Sequence, residues 1–314
     1  MKRGPWRLIF MGTPGFALPS LEAVVAGGEE VLAVVTQPDR PRGRGQRLSP
    51  SPVKDLALAW NLPVLQPEGF QDPALLEQLK ALRPELIIVV AYGRLLPPEV
   101  LALPTVGPLN VHASLLPKYR GAAPINWALI HGDKETGVTI QWMAAELDAG
   151  AIFLQERVPI REEDNYGTLS GKLAARGAAL LMQALEKLRR GEAIKKPQPQ
   201  EGITYAPPIS REMRRLDWNL PAREVAGWIR GLDPIPGAYA LWQDRILKLF
   251  GARVKRAEGL RTAPGTVLGV ANQGLVIACG QGSILVKELH LAGHKRLRAP
   301  EFLRGQNLLK QVLD

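Results

Sequence analysis

Asn110 and His112 stand two residues apart in the segment Leu109-Asn110-Val111-His112-Ala113-Ser114-Leu115-Leu116-Pro117. The segment reads as a strand. Strand side chains alternate between faces, so the amide and the imidazole project to the same side. An amide can polarise a carbonyl or hold an oxyanion, and an imidazole transfers protons near neutral pH. Taken alone, such a pair is equally a satisfied, half-buried histidine beside a polar neighbour. A third polar group is needed to orient the ring. Asp148, in Leu147-Asp148-Ala149-Gly150, offers a carboxylate that would stabilise an imidazolium. An aspartate before Ala-Gly is also an ordinary turn residue, and the sequence does not show whether it meets His112.

A second chemical feature is the run from Thr36 to Pro52, in which Arg40, Arg42, Arg44 and Arg47 occupy four of eight positions among glycines and prolines. It follows a strand, where a βα connection of two to six residues is usual. Arginine forks suit phosphate oxygens, and the glycines leave the backbone adaptable. A nucleic-acid contact is the expectation, with a solvated loop as the alternative. Other chemistries find little support. His131 falls at a helix end, and His290 and His294 bracket Leu-Ala-Gly. The last two stand at H-x-x-x-H spacing, but on Leu-Ala-Gly and without the glutamate of H-E-x-x-H, so no zinc site is expected. Gly-x-Ser-x-Gly is absent. Gly12-Thr13-Pro14-Gly15 lacks dinucleotide-binding spacing, and Pro14 removes an N–H that could hold phosphate.

These groups must be positioned by a scaffold, and the first two-thirds of the chain supplies one. Apolar runs at Leu8 to Met11, Val31 to Thr36, Glu85 to Tyr92, Gly107 to Ala113, Gly137 to Met143 and Ala151 to Pro159 read as strands. Helical patterns stand between or beside them, near residues 17–25, 53–60, 73–82, 124–130 and 166–190. Continuous aliphatic strands between helices mark a mostly parallel sheet covered on both faces. The fold class is α/β and Rossmann-like, and in such sheets ligands sit beyond the carboxyl ends of the strands. From Gly191 to Pro208 the texture becomes Lys-Lys-Pro-Gln-Pro-Gln and Pro-Pro, a linker composition. Beyond it come a helix at 222–230, five short strands between Ala238 and Leu289, and a last helix near 299–311. That pattern fits a small OB-like β-barrel. The expected layout is residues 1–190, a linker at 191–208, and a second domain at 209–314.

Charge supports the division. The chain of 314 residues carries 40 basic and 30 acidic side chains, and residues 209–314 hold 17 and 9 of them. A basic C-terminal third suggests a polyanionic partner. The lone Cys279 excludes an intrachain disulfide and reads as a buried strand thiol. No apolar run approaches a membrane span, and the start runs into a strand without a signal-peptide pattern. A cytoplasmic protein with no membrane association is expected.

The motifs together resemble the methionyl-tRNA formyltransferases. The match rests on Phe10-Met-Gly-Thr-Pro14, Thr36-Gln-Pro-Asp-Arg-Pro41, Val90-Ala-Tyr-Gly93 and the Asn110 to Pro117 block. It continues through Tyr119-Arg-Gly-Ala-Ala-Pro124, Thr136-Gly-Val-Thr139, Leu147 to Gly150 and Pro264-Gly-Thr266. The resemblance implies formyl transfer from 10-formyltetrahydrofolate to the α-amino group of methionyl initiator tRNA, by a monomer that requires no metal. It implies a catalytic trio of Asn110, His112 and Asp148. It implies folate contacts from Ser114, Leu115, Leu116 and Pro117, and from the backbone at Tyr92 and Gly93. Arg40, Arg42, Arg44 and Arg47 would meet the tRNA, with the basic C-terminal domain holding its phosphates. Ala149 departs from the family, in which threonine often follows the aspartate. Two other readings use the same residues: formyl transfer to a small amine, and a non-catalytic RNA-binding module with a degenerate pocket.

Overall fold

The computed structural model describes residues 4–42, 47–256 and 262–314. The chain divides into two compact units. The first contains residues 1–122, 137–158 and 171–206; the second contains 123–136, 159–170 and 207–314.

The first unit is built on a seven-stranded sheet of β1 (Arg7–Gly12), β2 (Glu30–Val35), β5 (Val64–Leu65), β6 (Leu86–Val90), β7 (Gly107–His112), β8 (Glu135–Trp142) and β9 (Ile152–Pro159). Its spatial order is β5-β2-β1-β6-β7-β8-β9. The pairs β2–β5, β1–β2, β1–β6 and β6–β7 are parallel, and β7–β8 is antiparallel. This is the mostly parallel, Rossmann-like sheet expected. Every residue of β6 is buried, as a strand covered on both faces requires.

The face of β7 that carries the chemistry is fixed by what covers the other face. Gly177 of α6 (Tyr166–Arg189) lies so near that a Cβ there would come within 2.8 Å of Val111 Cγ1. Val111 therefore points to the helix, and Asn110 and His112 point the opposite way. The turn at Gly12 to Gly15 becomes a short 3-10 helix (Gly15–Ala17) leading into α1 (Leu18–Ala26).

The Thr36 to Pro52 excursion is more ordered than an irregular loop. β3 (Arg40–Arg42) and β4 (Arg47–Ser49) form an antiparallel hairpin, with Arg40 opposite Ser49 and Arg42 opposite Arg47. Its ends meet where Thr36 and Ser51 hydroxyls hydrogen-bond at 2.7 Å, and Ser51 caps α2 (Pro52–Ala59) by accepting from the Lys54 N–H. Alternation is too brief at 40–42 and 47–49 to register as strands by eye. Further along, α3 (Pro73–Ala81) precedes β6 and the single turn α4 (Pro98–Leu101) follows it.

Residues 191–206, whose composition reads as a linker, lie along the first unit. Lys196 pairs with Ile152, Arg120 with Tyr205, and the Tyr119 N–H donates to Thr204 Oγ1 at 2.9 Å. A proline-rich segment cannot satisfy its own backbone, and here it is satisfied by neighbouring strands and polar side chains. The second unit takes up the chain again at Pro207.

In the second unit, α5 (Pro124–Ile130) packs against α7 (Ala222–Leu232), and a Cβ at Gly227 would fall 2.6 Å from the Ile130 carbonyl oxygen. The antiparallel sheet has the order β10 (Ala238–Trp242), β11 (Arg245–Arg256), β14 (Ser283–Leu291), β13 (Gly274–Ala278), β12 (Val267–Ala271), with β15 (Leu297–Arg298) on β14. Among the described residues no ladder joins β10 to β12, so the sheet of this β-domain is not closed by strand pairing. Its core includes Val225, Ile229, Leu247, Leu249, Ile277 and Val286. The last helix, α8 (Ala299–Gly305), is shorter than the expected run to Gln311. After Gly305 the backbone is extended at Gln306, and Thr266 pairs with Val312.

Candidate active site

Asp148 is the centre of the constellation. It lies in the turn between β8 and β9 with φ +51°, a left-handed conformation that aspartate tolerates better than most residues. Gly150 completes the turn against the backbone of Trp142, so close that a Cβ would overlap the Trp142 carbonyl. The turn brings the carboxylate back over β7. Asp148 Oδ1 lies 3.4 Å from Asn110 Nδ2 and 3.6 Å from His112 Nδ1. The three residues named from sequence therefore meet, although 38 positions separate Asn110 from Asp148.

His112 is 5% exposed and pairs across the strand with Thr139. Its Nε2 lies 3.0 Å from the Tyr119 carbonyl oxygen, while Nδ1 faces the Asp148 carboxylate. Both ring nitrogens thus face acceptors, and only the doubly protonated imidazolium can donate to both. Asn110 Nδ2 carries two hydrogens and directs one, at long range, to Asp148. The other can meet an oxygen on a reacting carbon.

Several residues that sequence reading did not single out hold this arrangement. Gln141, directly opposite Asn110 on β8, donates from Nε2 to Asp148 Oδ1 at 2.8 Å. The Gly121 N–H donates to Asp148 Oδ2 at 2.9 Å. Gln198 donates from Nε2 to the carbonyls of Asp148 and Gly150, at 2.7 and 2.8 Å. The Gln198 oxygen in turn accepts from the buried Arg120 guanidinium at 2.8 Å. The sequence offers only a polar residue in the run Gly137 to Met143; it is the register, with Gln141 opposite Asn110, that makes it border the site.

The remaining expected residues are placed as follows. Ser114 is fully buried, and its hydroxyl donates to the Lys118 carbonyl, so it braces the turn after β7. Leu116 is buried; Leu115 and Pro117 are half-buried, and Leu115 packs where a Cβ on Gly137 would collide with it. The Tyr92 side chain is 1% exposed inside the cluster of Ile9, Met11, Ile87 and Leu96. Burial pushes its phenol above the ordinary range. Only its backbone and that of Gly93 remain for a ligand, and the Tyr92 carbonyl already accepts from Thr13 Oγ1 and Gln37 Nε2. Arg40 is exposed. Arg42 and Arg47 are paired in the hairpin backbone, and Arg44 lies outside the described residues. The hairpin base is anchored by Asp39, which accepts from Lys54 Nζ at 2.7 Å and Gln66 Nε2 at 2.8 Å. Among the described residues no group of three or more His, Cys, Asp or Glu side chains is gathered to hold a metal ion, and no helix is long and apolar enough to cross a membrane.

Comparison with known proteins covers nearly the whole chain. The formyl transferase family model matches residues 6–185, and the formyl transferase C-terminal domain model matches residues 208–307. A methionyl-tRNA formyltransferase of Pelotomaculum thermopropionicum is 50% identical over 300 residues, covering 95% of both chains. One from Moorella thermoacetica is 50% identical over 299 residues, covering 95% of this chain and 96% of that one. Among solved structures, HypX from Aquifex aeolicus in complex with tetrahydrofolic acid shares the fold, with a TM-score of 0.65, 20% identity and coverage of 96% of this chain and 47% of that one. An N-formyltransferase from Helicobacter canadensis shares it with a TM-score of 0.67 and 17% identity, over 90% of this chain and 98% of that one. With both domain models matched in order and half the residues identical over nearly the full length of two relatives, the chain belongs to the methionyl-tRNA formyltransferase family.

Proposed function

We propose that the protein transfers the formyl group of 10-formyltetrahydrofolate to the α-amino group of methionyl initiator tRNA, and that Asn110, His112 and Asp148 carry the chemistry. The observation that supports it most is the convergence of an amide, an imidazole and a carboxylate at the carboxyl end of β7, where open α/β sheets place their ligands.

The free amine attacks the formyl carbon, and negative charge develops on the formyl oxygen. Asn110 Nδ2–H stabilises that oxygen, helped by the imidazolium of His112. Asp148 faces the ring nitrogen Nδ1 and orients the ring. As the tetrahedral carbon collapses, the bond to the folate nitrogen breaks. The proton lost by the amine passes to that nitrogen, so the trio ends as it began. The turn Ser114 to Pro117 and the backbone at Tyr92 and Gly93 border the folate. Arg40, Arg42 and Arg47 of the hairpin strands, together with Arg44 and the basic residues of 209–314, take the tRNA phosphates. Such contacts release counterions, so tRNA use should weaken steeply with salt. We place this activity in the cytoplasm, in a monomeric protein.

The test is formyl transfer from labelled 10-formyltetrahydrofolate to charged initiator tRNA, charged elongator tRNA and an amino-sugar nucleotide in parallel. Preferred transfer to initiator tRNA is expected. Transfer to the sugar alone would replace this reading with small-amine formylation. Tight tRNA binding without turnover would reduce the protein to an RNA-binding module.

A further inference from the structure

We infer that Gln141 is a positioning residue for formyl transfer: its buried amide holds the Asp148 carboxylate in the place from which it serves His112. The inference rests on the activity proposed above and concerns the same site.

Asp148 Oδ1 has three neighbours, and the amide of Gln141 makes the shortest approach: 2.8 Å, against 3.4 Å from Asn110 Nδ2 and 3.6 Å from His112 Nδ1. The other carboxylate oxygen is held at 2.9 Å by the Gly121 N–H. Two short bonds, one from a strand and one from a loop, fix the plane of the carboxylate. The contacts to Asn110 and His112 are longer and can tighten as charge develops on the formyl oxygen that these two groups face. Gln141 thus supplies the fixed side of an arrangement whose other side must respond.

The second observation concerns the other end of the amide. Gln141 is 1% exposed, and its Oε1 is buried without a hydrogen-bond partner among the described residues. A buried acceptor left unmatched destabilises the folded state. An apolar side chain of the same length would avoid that cost. A polar group kept where packing alone favours an apolar one points to work done by its other end. The charged groups around it are Asp148 in the β8–β9 turn and His112 on β7. Glu146, two residues before Asp148 in the same turn, pairs with Arg120, whose guanidinium is also directed to Gln198.

The experiment compares Gln141→Met and Gln141→Glu with the unmodified protein in the initiator-tRNA assay, with thermal unfolding in parallel. In Gln141→Met the carboxylate is deprived of one anchor. Turnover is expected to fall roughly 10- to 100-fold, with KM for both substrates within about twofold. The unfolding temperature should be unchanged or higher. In Gln141→Glu the introduced carboxyl can donate to Asp148 only when protonated, and repels it when ionised. Its turnover relative to the unmodified protein should therefore drop as pH rises from about 5.5 to about 8, whereas the ratio for Gln141→Met stays flat. Turnover within about twofold of normal in Gln141→Met would overturn the inference. So would a fall in unfolding temperature with both KM values rising alongside the reduced turnover, which marks a packing role. An unmodified protein that formylates no charged tRNA would overturn the underlying activity as well, and is told apart by that control.

Discussion

Two excursions from the strands of the first unit are built on opposite plans. The turn from Met143 to Gly150 is tied at its functional residue: both Asp148 oxygens and its backbone carbonyl accept hydrogen bonds. The hairpin from Gln37 to Pro50 is tied, among the described residues, at its base by Thr36, Asp39 and their partners, while Arg40 and Pro41 stand exposed. A carboxylate that must sit within a fraction of an ångström of its place beside an imidazole needs fixed neighbours. Guanidinium groups that meet a flexible phosphate chain need reach more than a fixed position. Substitutions in the turn should therefore act on turnover, and those in the hairpin on tRNA recognition.

The largest effect belongs to the trio itself. His112→Ala should lower turnover by about 10²–10⁴-fold, and Asn110→Ala by on the order of a hundredfold, the effect of removing one oxyanion donor. Folate affinity, measured by equilibrium binding, should hold in both. Near-normal turnover in His112→Ala with folate still bound would remove the basis for the whole contrast.

A smaller effect is expected one bond further out. Gln198→Leu deprives the Asp148 and Gly150 carbonyls of their shared donor and leaves the Arg120 guanidinium without its amide partner. A hydrogen bond of this kind is worth about 1 kcal/mol, more where a charge is involved. Turnover should drop about tenfold, with tRNA KM little changed. A rise in tRNA KM instead would mean that residues 191–206 touch the RNA, and the division of labour between turn and hairpin would fail.

How much of this is legible in the sequence follows the range of the forces involved. The alternation Leu109-Asn110-Val111-His112 fixes a face because period 2 is local, and the structure places both polar side chains on it, away from Gly177. The α/β order of the first two-thirds is readable for the same reason. Asp148 can be nominated by chemistry but not placed, since its approach depends on a left-handed turn and on Gly150 lying against Trp142. Gln141 reads as one of several polar residues in its strand, beside Thr136 and Thr139, and its meaning comes only from the register that sets it opposite Asn110. The segment 191–206 reads as a linker because composition reports what a chain cannot do alone, and Gln198 and Thr204 find partners far away. The packing of α5 on α7 is likewise a long-range choice, made by the small residues Gly227 and Gly231.

In the hairpin, effects should be moderate and confined to tRNA. Arg40→Ala or Arg44→Ala should raise the tRNA KM severalfold and lower the slope of log affinity against log salt by about one unit for each phosphate interaction removed. Turnover at saturating tRNA and the folate KM should stay as they were. Equal changes in both KM values would assign these arginines to folding instead.

The smallest effect tests the root of the hairpin. The Asp39 carboxyl is held below the usual aspartate range, first by the hydrogen bond from Lys54 and then by that from Gln66. A depressed carboxyl contributes order that is complete above its ordinary value, about 3.9, and disappears only as pH falls through the lowered one. Proteolytic nicking within residues 37–50 should therefore proceed at its neutral-pH rate down to about pH 4 and accelerate only below it. In Asp39→Asn the charge that Lys54 meets is gone at every pH, so nicking should be faster throughout, with a tRNA KM raised less than in Arg40→Ala. Nicking of the unmodified protein that already accelerates between about pH 6 and 5 would show that some other group holds the base, and the hairpin would then owe its order to contacts outside Asp39, Lys54 and Gln66.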